Sequence, residues 1–378
     1  MIAQKLVERG HKVTIITGHN SKELKREIRD KIEIIWIPLL AATITTKKYP
    51  QFQDHLPPNL KSLLYLRTLN YKEHDVIHLL AFGHLLIDYI NLVSRSSQRK
   101  ILTVHGFPKY VESEGKATYL TKLVYKLYLK TLGKYTLNSA KIITAPTNFV
   151  VQDCIKKGCG IDSSKIRVIP NGIDLKSYKP VQYDELEEKY KITKNDVFIV
   201  SIARIVWLKG LEYAIEAILQ VSKIINKPIK YMIIGPIQDY NYYSTLNKQI
   251  QRLGLQDNII FTGHYADLSL KLPALTRADI FLVPSLHESF GMVVLEAMAM
   301  GKPIVASNIE GIACILEHMN TGILVNPTQS SEIANAITTL LFNPELCKKL
   351  SENASYAANK YDWNMIIDSY EKVYQHFQ

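Results

Sequence analysis

Residues 287–307 read HESFGMVVLEAMAMGKPIVAS. Glu288 and Glu296 stand eight apart in this stretch, and almost everything around Glu296 is apolar. A helix that is apolar nearly all round belongs in a core, where an unpaired carboxylate is strongly disfavoured. Glu296 therefore needs a partner, and the expectation is a ligand. A carboxylate accepts two hydrogen bonds at once, which suits vicinal sugar hydroxyls. Glu288 falls in the loop before the helix. Gly291 permits close backbone approach, and the helix start behind it offers free N–H groups and a positive dipole end to an anion. The plainer alternative, Glu296 on a solvated face, fits poorly with MVVL and AMAM on either side.

Two further segments have reactive character. The apolar run VFIVSIA is followed by Arg204 and then by Lys209-Gly210 at a helix start. A guanidinium fork and an ammonium point charge five residues apart can hold a diphosphate together, although two such cations also occur on ordinary surfaces. KILTV runs into His105-Gly106-Phe107, which places an imidazole at a strand end. A histidine there serves structure or function.

These residues need a scaffold, and the chain supplies one. Short β-branched runs such as KVTIIT, IEIIWI, VIHLL, KILTV, KIITA and RVIP alternate with helical patterns, and VFIVSIA, YMIIG, NIIFTG, DIFLVPS, PIVAS and GILVN continue the series. Such alternation specifies parallel sheets covered by helices, here two doubly wound α/β domains. Ligands in such sheets bind outside the carboxyl ends of the strands, where Arg204, Lys209 and Glu288 all fall. The domain boundary is expected near VIPNGIDLKSYKP, at residues 168–180, where the turn signal Asn171-Gly172 leads into non-periodic chain.

The chain has 378 residues, 47% hydrophobic and 21% charged, ordinary values for a globular protein with two cores. No apolar run reaches the roughly 18 residues of a membrane span, and MIAQKLVERGHK does not read as a secretory signal. Cys154, Cys159, Cys314 and Cys347 show no metal-ligand spacing and read as reduced packing residues of a cytoplasmic protein. Residues 1–172 carry 27 Lys/Arg against 13 Asp/Glu, and the remainder carries 19 against 22. The basic half points to an anionic partner. Within it, Lys122, Lys126, Lys130 and Lys134 recur at i, i+4 and form one helix face. This is either a solvated face or a surface for anionic lipid.

With the blocks RGHKVTIIT, DVIH, LTVHG, VIPNGID, ARIVWLKG and NTGILVNP, the opening stretch resembles the signature of retaining glycosyltransferases of family 4, also called glycosyl transferases group 1, which have the GT-B fold. The family pattern is E-x-F-G followed by a second Glu, with seven residues between the carboxylates. Glu288, Phe290, Gly291 and Glu296 match it in place, and the resemblance covers nearly the whole chain. It implies two Rossmann-like domains facing a cleft. Residues 1–172 would form the acceptor-side domain, with the helix 362–378 packing back on it, and residues 173–361 would bind the nucleotide sugar.

The resemblance also implies roles. Arg204 and Lys209 would neutralise the donor diphosphate, Glu296 would hold the ribose and Glu288 the transferred sugar. Phe290 and the backbone at Gly291, Met292 and Val293 would help hold the donor, with Gly263-His264-Tyr265 near the base and His105 reaching the sugar. The co-substrate would be a nucleoside-diphosphate sugar, with no metal and no other cofactor. The acceptor would be a glycan or a lipid-linked glycan, reached by an enzyme peripheral to the cytoplasmic membrane face.

The chain departs from the pattern in places. The family opens with a strand and a glycine-rich loop before a helix ending like LVERGHKV, and this chain begins inside that helix. By ordinary element lengths roughly 25 to 35 residues are expected upstream, and the first domain is expected to lack its first strand. Ala203 replaces a usual Gly, Leu80 replaces the second His of H-x-H, and EGIACIL lacks the usual Pro-Glu. Two other readings stay open: a sugar-nucleotide epimerase, and a truncated or inactive sugar-nucleotide-binding partner subunit. Nucleic-acid binding is not expected, because basic charge alone is unspecific and no RNA- or DNA-binding motif accompanies it.

Overall fold

A computed structural model of the chain describes residues 1–19, 23–39, 58–94, 99–107, 119–156, 161–263 and 268–376. Cys159, His264 and Tyr265 lie outside the described residues, as do the last two residues of the helix expected to end at 378. The chain divides into two compact units, Met1–Pro170 with Trp363–Gln378, and Asn171–Asp362.

In the first unit, β1 (Thr14–His19), β2 (Lys25–Arg29) and β3 (Ile32–Pro38) form one sheet in the order β1-β3-β2. β4 (Ile77–Leu79), β5 (Lys100–Thr103), β6 (Ile142–Ala145) and β7 (Ile166–Val168) form a second, in sequential order and parallel throughout. Parallel strands buried on both faces read as continuous apolar runs, and KILT and IITA are buried along their whole length. β2 pairs antiparallel with β3 through a two-residue turn in which Asp30 and Lys31 have φ of 50° and 65°, the geometry that suits the twist of a hairpin. The helix Trp363–Gln375 belongs to this unit. Its Ile366, Ile367, Tyr370 and Val373 pack with Ile101, Ile142 and Ile169. The helix Ile2–Glu8 is tied to it through Arg9, which lies 2.6 Å from Asp368 and 2.5 Å from Glu371.

The second unit is built on a six-stranded sheet in the order β10-β9-β8-β11-β12-β13. Its strands are β8 (Val197–Ile202), β9 (Ile229–Pro236), β10 (Ile259–Gly263), β11 (Ile280–Val283), β12 (Ile304–Ser307) and β13 (Ile323–Val325). All pair in parallel. Successive side chains of a strand point to opposite faces, and β8 divides accordingly. Val197 and Ile199 join one core with the helices Leu211–Ile224 and Ser330–Phe342, while Phe198, Val200 and Ile202 join another with the helix Met292–Ala299. The chain winds from β8 outward to β10, then returns to place β11 on the other side of β8. Strand order therefore reverses between β8 and β11, and a crevice opens at the carboxyl ends of such a pair.

Candidate active site

The loops leaving β8 and β11 meet at this reversal. After β8 the chain passes Arg204 and reaches Lys209, then enters the helix Leu211–Ile224 through Gly210. Gly210 has φ of 58°, and a Cβ there would lie 2.3 Å from the Pro284 carbonyl oxygen. Only glycine allows the helix start to lie against the end of β11. The Leu286 N–H donates to the Leu208 carbonyl at 2.8 Å, which fastens the two loops together.

This contact sets the geometry of the charged groups. The Lys209 ammonium lies 2.5 Å from Glu288 Oε1, and the Ser285 hydroxyl donates to the same oxygen at 3.0 Å. Both partners are largely withdrawn from solvent, 13% and 16% exposed, so the attraction is screened less than in a surface pair. Arg204 is exposed, and its Nη1 donates to Gln238 Oε1 at 2.8 Å. Gln238 in turn sits on the chain leaving β9, where Ile205 and Ile237 bridge.

Glu296 is buried, 7% exposed, within the Met292–Ala299 helix, as its apolar surroundings require. Its protein partner was not foreseen in the sequence. Lys271 Nζ donates to both carboxylate oxygens, at 3.0 and 3.1 Å, so a protein cation takes the position expected for a ligand. Tyr178 lies close enough to this carboxylate to feel its charge. Burial and then the Glu296 charge push the Tyr178 phenol well above its ordinary range.

The remaining residues fall as follows. Met292 is exposed, Val293 half-buried and Gly291 buried. The Met292 and Val293 N–H groups have no carbonyl partner within the helix, whereas the Val294 N–H donates to the Gly291 carbonyl at 2.9 Å. The Phe290 side chain is buried in the core, edge-on to Tyr361 at 6.0 Å, so it seats the loop and exposes little surface of its own. Gly263 ends β10, exposed, with φ of 74°. His105 belongs to the other unit, just beyond β5. It keeps an exposed edge, yet close packing lowers its pKa against the opposing effect of a bond to the Leu80 carbonyl. The chain thus contacts His105 through backbone at the position where the motif's second histidine is replaced. The first histidine, His78, is spoken for: Nδ1 meets the Tyr374 hydroxyl at 2.8 Å and Nε2 the Thr103 hydroxyl at 2.7 Å. Burial, with a smaller effect from His105, holds it neutral with a pKa lowered to about 3.

Sequence reasoning missed Lys271, Ser285, Gln238, Tyr178 and Gly311. A Cβ on Gly311 would lie 1.9 Å from the Glu288 carbonyl oxygen, so this glycine forms the bed on which the Glu288 loop rests. The one available signal was its place after β12, opposite the other loops.

Comparison with known proteins agrees with this fold. Residues 1–177 match the model of Glycosyltransferase Family 4, and residues 182–356 match that of Glycosyl transferases group 1. N-acetyl-alpha-D-glucosaminyl L-malate synthase of Bacillus anthracis is 23% identical over 379 residues, spanning 99% of this chain and 91% of that protein. An Escherichia coli UDP-Gal:alpha-D-GlcNAc-diphosphoundecaprenol alpha-1,3-galactosyltransferase is 27% identical over 318 residues, 82% of this chain and 74% of that protein. Among solved structures, Anabaena HepE in complex with UDP and glucose aligns with a TM-score of 0.74 at 20% identity, covering 99% of this chain and 94% of that one. The fold is the two-domain GT-B architecture of nucleotide-sugar enzymes. The chain belongs to glycosyltransferase family 4 and is a glycosyltransferase.

Proposed function

We propose that the protein transfers a sugar, with retention of anomeric configuration, from a nucleoside-diphosphate sugar to a glycan or lipid-linked acceptor. The observation that carries this reading is the Lys209–Glu288 pair where the loops leaving β8 and β11 meet, with Arg204 at the end of β8. Arg204 and Lys209 bind the diphosphate. As the bond from the anomeric carbon to the phosphate oxygen breaks, the electron pair stays on that oxygen and the two cations stabilise it. Glu288 holds the transferred sugar, and the N–H groups at Gly291, Met292 and Val293 orient sugar and phosphate. Glu296 takes the ribose, Gly263 lies by the base and His105 contributes to sugar binding. The acceptor hydroxyl attacks the face the leaving group departs from, and its proton passes to the departing phosphate oxygen.

Positive side chains perform the task that a divalent ion would otherwise serve, so transfer is expected to persist in chelator. The relatives support the donor class, because HepE was solved with UDP. The galactosyltransferase, by its name, uses a lipid diphosphate acceptor, which supports a lipid-linked acceptor here.

The helix Tyr119–Lys130 fits delivery from a membrane. Leu123, Val124 and Leu127 are 49, 58 and 61% exposed, and Lys126 and Lys130 are exposed on the same helix, with Lys122 half-buried. Lys134, also exposed, falls on the next helix, Leu132–Ser139, so the four lysines do not share the one helix face the sequence led one to expect. Among the described residues no helix is long and apolar enough to cross a bilayer, so the contact would be peripheral, on the cytoplasmic face.

The deciding experiment incubates the protein with a panel of nucleotide sugars and measures released nucleoside diphosphate, with product anomers read by NMR. Hydrolysis of one donor, lost in Lys209→Met and Glu288→Gln, is the expected result. Turnover to an epimeric donor would overturn it, as would no turnover of any donor.

A further inference from the structure

Lys271 lies almost equidistant from the two oxygens of Glu296, at 3.0 and 3.1 Å. An ammonium so placed fills the notch between the oxygens, which is where a bidentate partner must sit. A ribose diol is such a partner, with one hydroxyl to each oxygen. A carboxylate has about four lone-pair sites, and Glu296 as a residue is 7% exposed, so the protein covers most of what Lys271 leaves. Lys271 and a bidentate diol therefore exclude each other.

The two partners differ in mobility. Glu296 is fixed inside the Met292–Ala299 helix, whose neighbours Leu295 and Ala297 are fully buried. Lys271 reaches it from the helix Leu268–Arg277 on a long flexible side chain that is 20% exposed. Its ammonium can swing to water, whereas the carboxylate cannot follow. The site repeats the pattern at its other carboxylate, where Lys209 holds Glu288.

We propose that Lys271 is a displaceable stand-in for the donor ribose. It neutralises Glu296, and the ribose hydroxyls take over the carboxylate as the lysine leaves. This rests on the reading of Glu296 as the ribose ligand. The exchange keeps the buried carboxylate paired throughout, because leaving it alone would be strongly destabilising. It also sets donor affinity. Each binding event breaks the Lys271–Glu296 pair, so nucleotide binds more weakly than its contacts alone would give.

The sign of the test follows. Removing the lysine removes the pair that binding must break, so affinity rises while stability falls. A lysine with a purely structural role would lower stability with no gain in affinity. Calorimetric titration with UDP, GDP and ADP first selects the best ligand of the parent protein. That ligand and its 2′-deoxy form are then titrated into the parent, Lys271→Met, Lys271→Arg and Glu296→Gln.

Lys271→Met is expected to bind the ribonucleotide about tenfold tighter, with a smaller gain for the 2′-deoxy form and a lower melting temperature. Lys271→Arg, whose planar fork matches a carboxylate bidentately, is expected to bind more weakly than the parent. Equal or weaker binding by Lys271→Met overturns the proposal. Should that variant not fold, equal or tighter binding by Lys271→Arg overturns it instead. Glu296→Gln separates the two levels. If it loses the preference for ribose, the ribose reading stands, and failure of the lysine variants then sinks the exchange alone. If it keeps that preference, or if no nucleotide binds the parent, the ribose reading falls and the exchange with it.

Discussion

Gly311 faces the Glu288 carbonyl so closely that a Cβ at Gly311 would lie 1.9 Å from that oxygen. The Glu288 backbone and the Gly311 backbone are thus parts of one fitted surface. The obstacle is backbone, so no rotamer change relieves it.

Gly311→Ala is therefore expected to push the Glu288 loop away from Lys209. A misplacement of about 1 Å near reacting groups lowers turnover on the order of a hundredfold. Overpacking of this kind also removes about 1–3 kcal/mol of stability. Donor hydrolysis and a thermal melt measure the two effects. A variant with parental turnover would show that the loop tolerates the shift.

Lys209→Met leaves Glu288 with only the Ser285 hydroxyl of the two partners seen here. If Lys209 stabilises the departing diphosphate, turnover falls roughly a hundred- to a thousandfold. Lys209→Arg, which keeps the charge, is expected to retain part of it. Steady-state kinetics on both variants decide the matter. A Lys209→Met enzyme with normal kcat and raised KM would limit the residue to donor binding.

Acid should weaken the first unit through His78. Its pKa is about 3 in the folded protein against an ordinary 6.5, because burial disfavours the charged ring. The folded value is depressed, so the stability of neutral His78 is fully present above pH 6.5 and is lost as pH falls toward 3. Relative to His78→Gln, which has no titrating ring, the parent should lose about 1.4 kcal/mol per pH unit in that window. Urea unfolding of both proteins between pH 4 and 7 measures it; parallel curves would contradict the buried neutral ring.

The Tyr119–Lys130 helix predicts sedimentation with vesicles containing anionic lipid, weakening with salt as the Debye length shrinks. Lys126→Glu with Lys130→Glu should abolish most of it, and Leu123→Ser with Leu127→Ser should reduce it at every salt concentration. Equal sedimentation with neutral vesicles would remove the role of the lysines.

The strands of the central sheets were legible because parallel, doubly buried strands are written as unbroken apolar runs. β2 was not. Lys-Arg-Glu-Ile-Arg exposes four of its five residues on an edge, so it carries no apolar period, and only the tight turn at Asp30-Lys31 fixes its pairing. At the site, the burial of Glu296 was deducible from its neighbours, but its partner was not. Lys271 lies twenty-five residues earlier, on a helix whose position over the Met292–Ala299 helix depends on tertiary packing. Gly311 was illegible for the same reason, since its role is a contact with a distant carbonyl.

The Ile173 N–H donates to the Tyr361 carbonyl at 2.8 Å, and Ile173 bridges in parallel to Asp362. The first and last turns of the Asn171–Asp362 unit are therefore stitched to each other. Topologically this unit is an insertion whose two ends already meet, with its own pair of cores on either side of one sheet. Arg204, Lys209, Glu288, Glu296 and Lys271 all lie inside it. Its ends meet and its cores are its own, so residues 171–362 are expected to fold when cut out or circularly permuted with a short linker joining the ends.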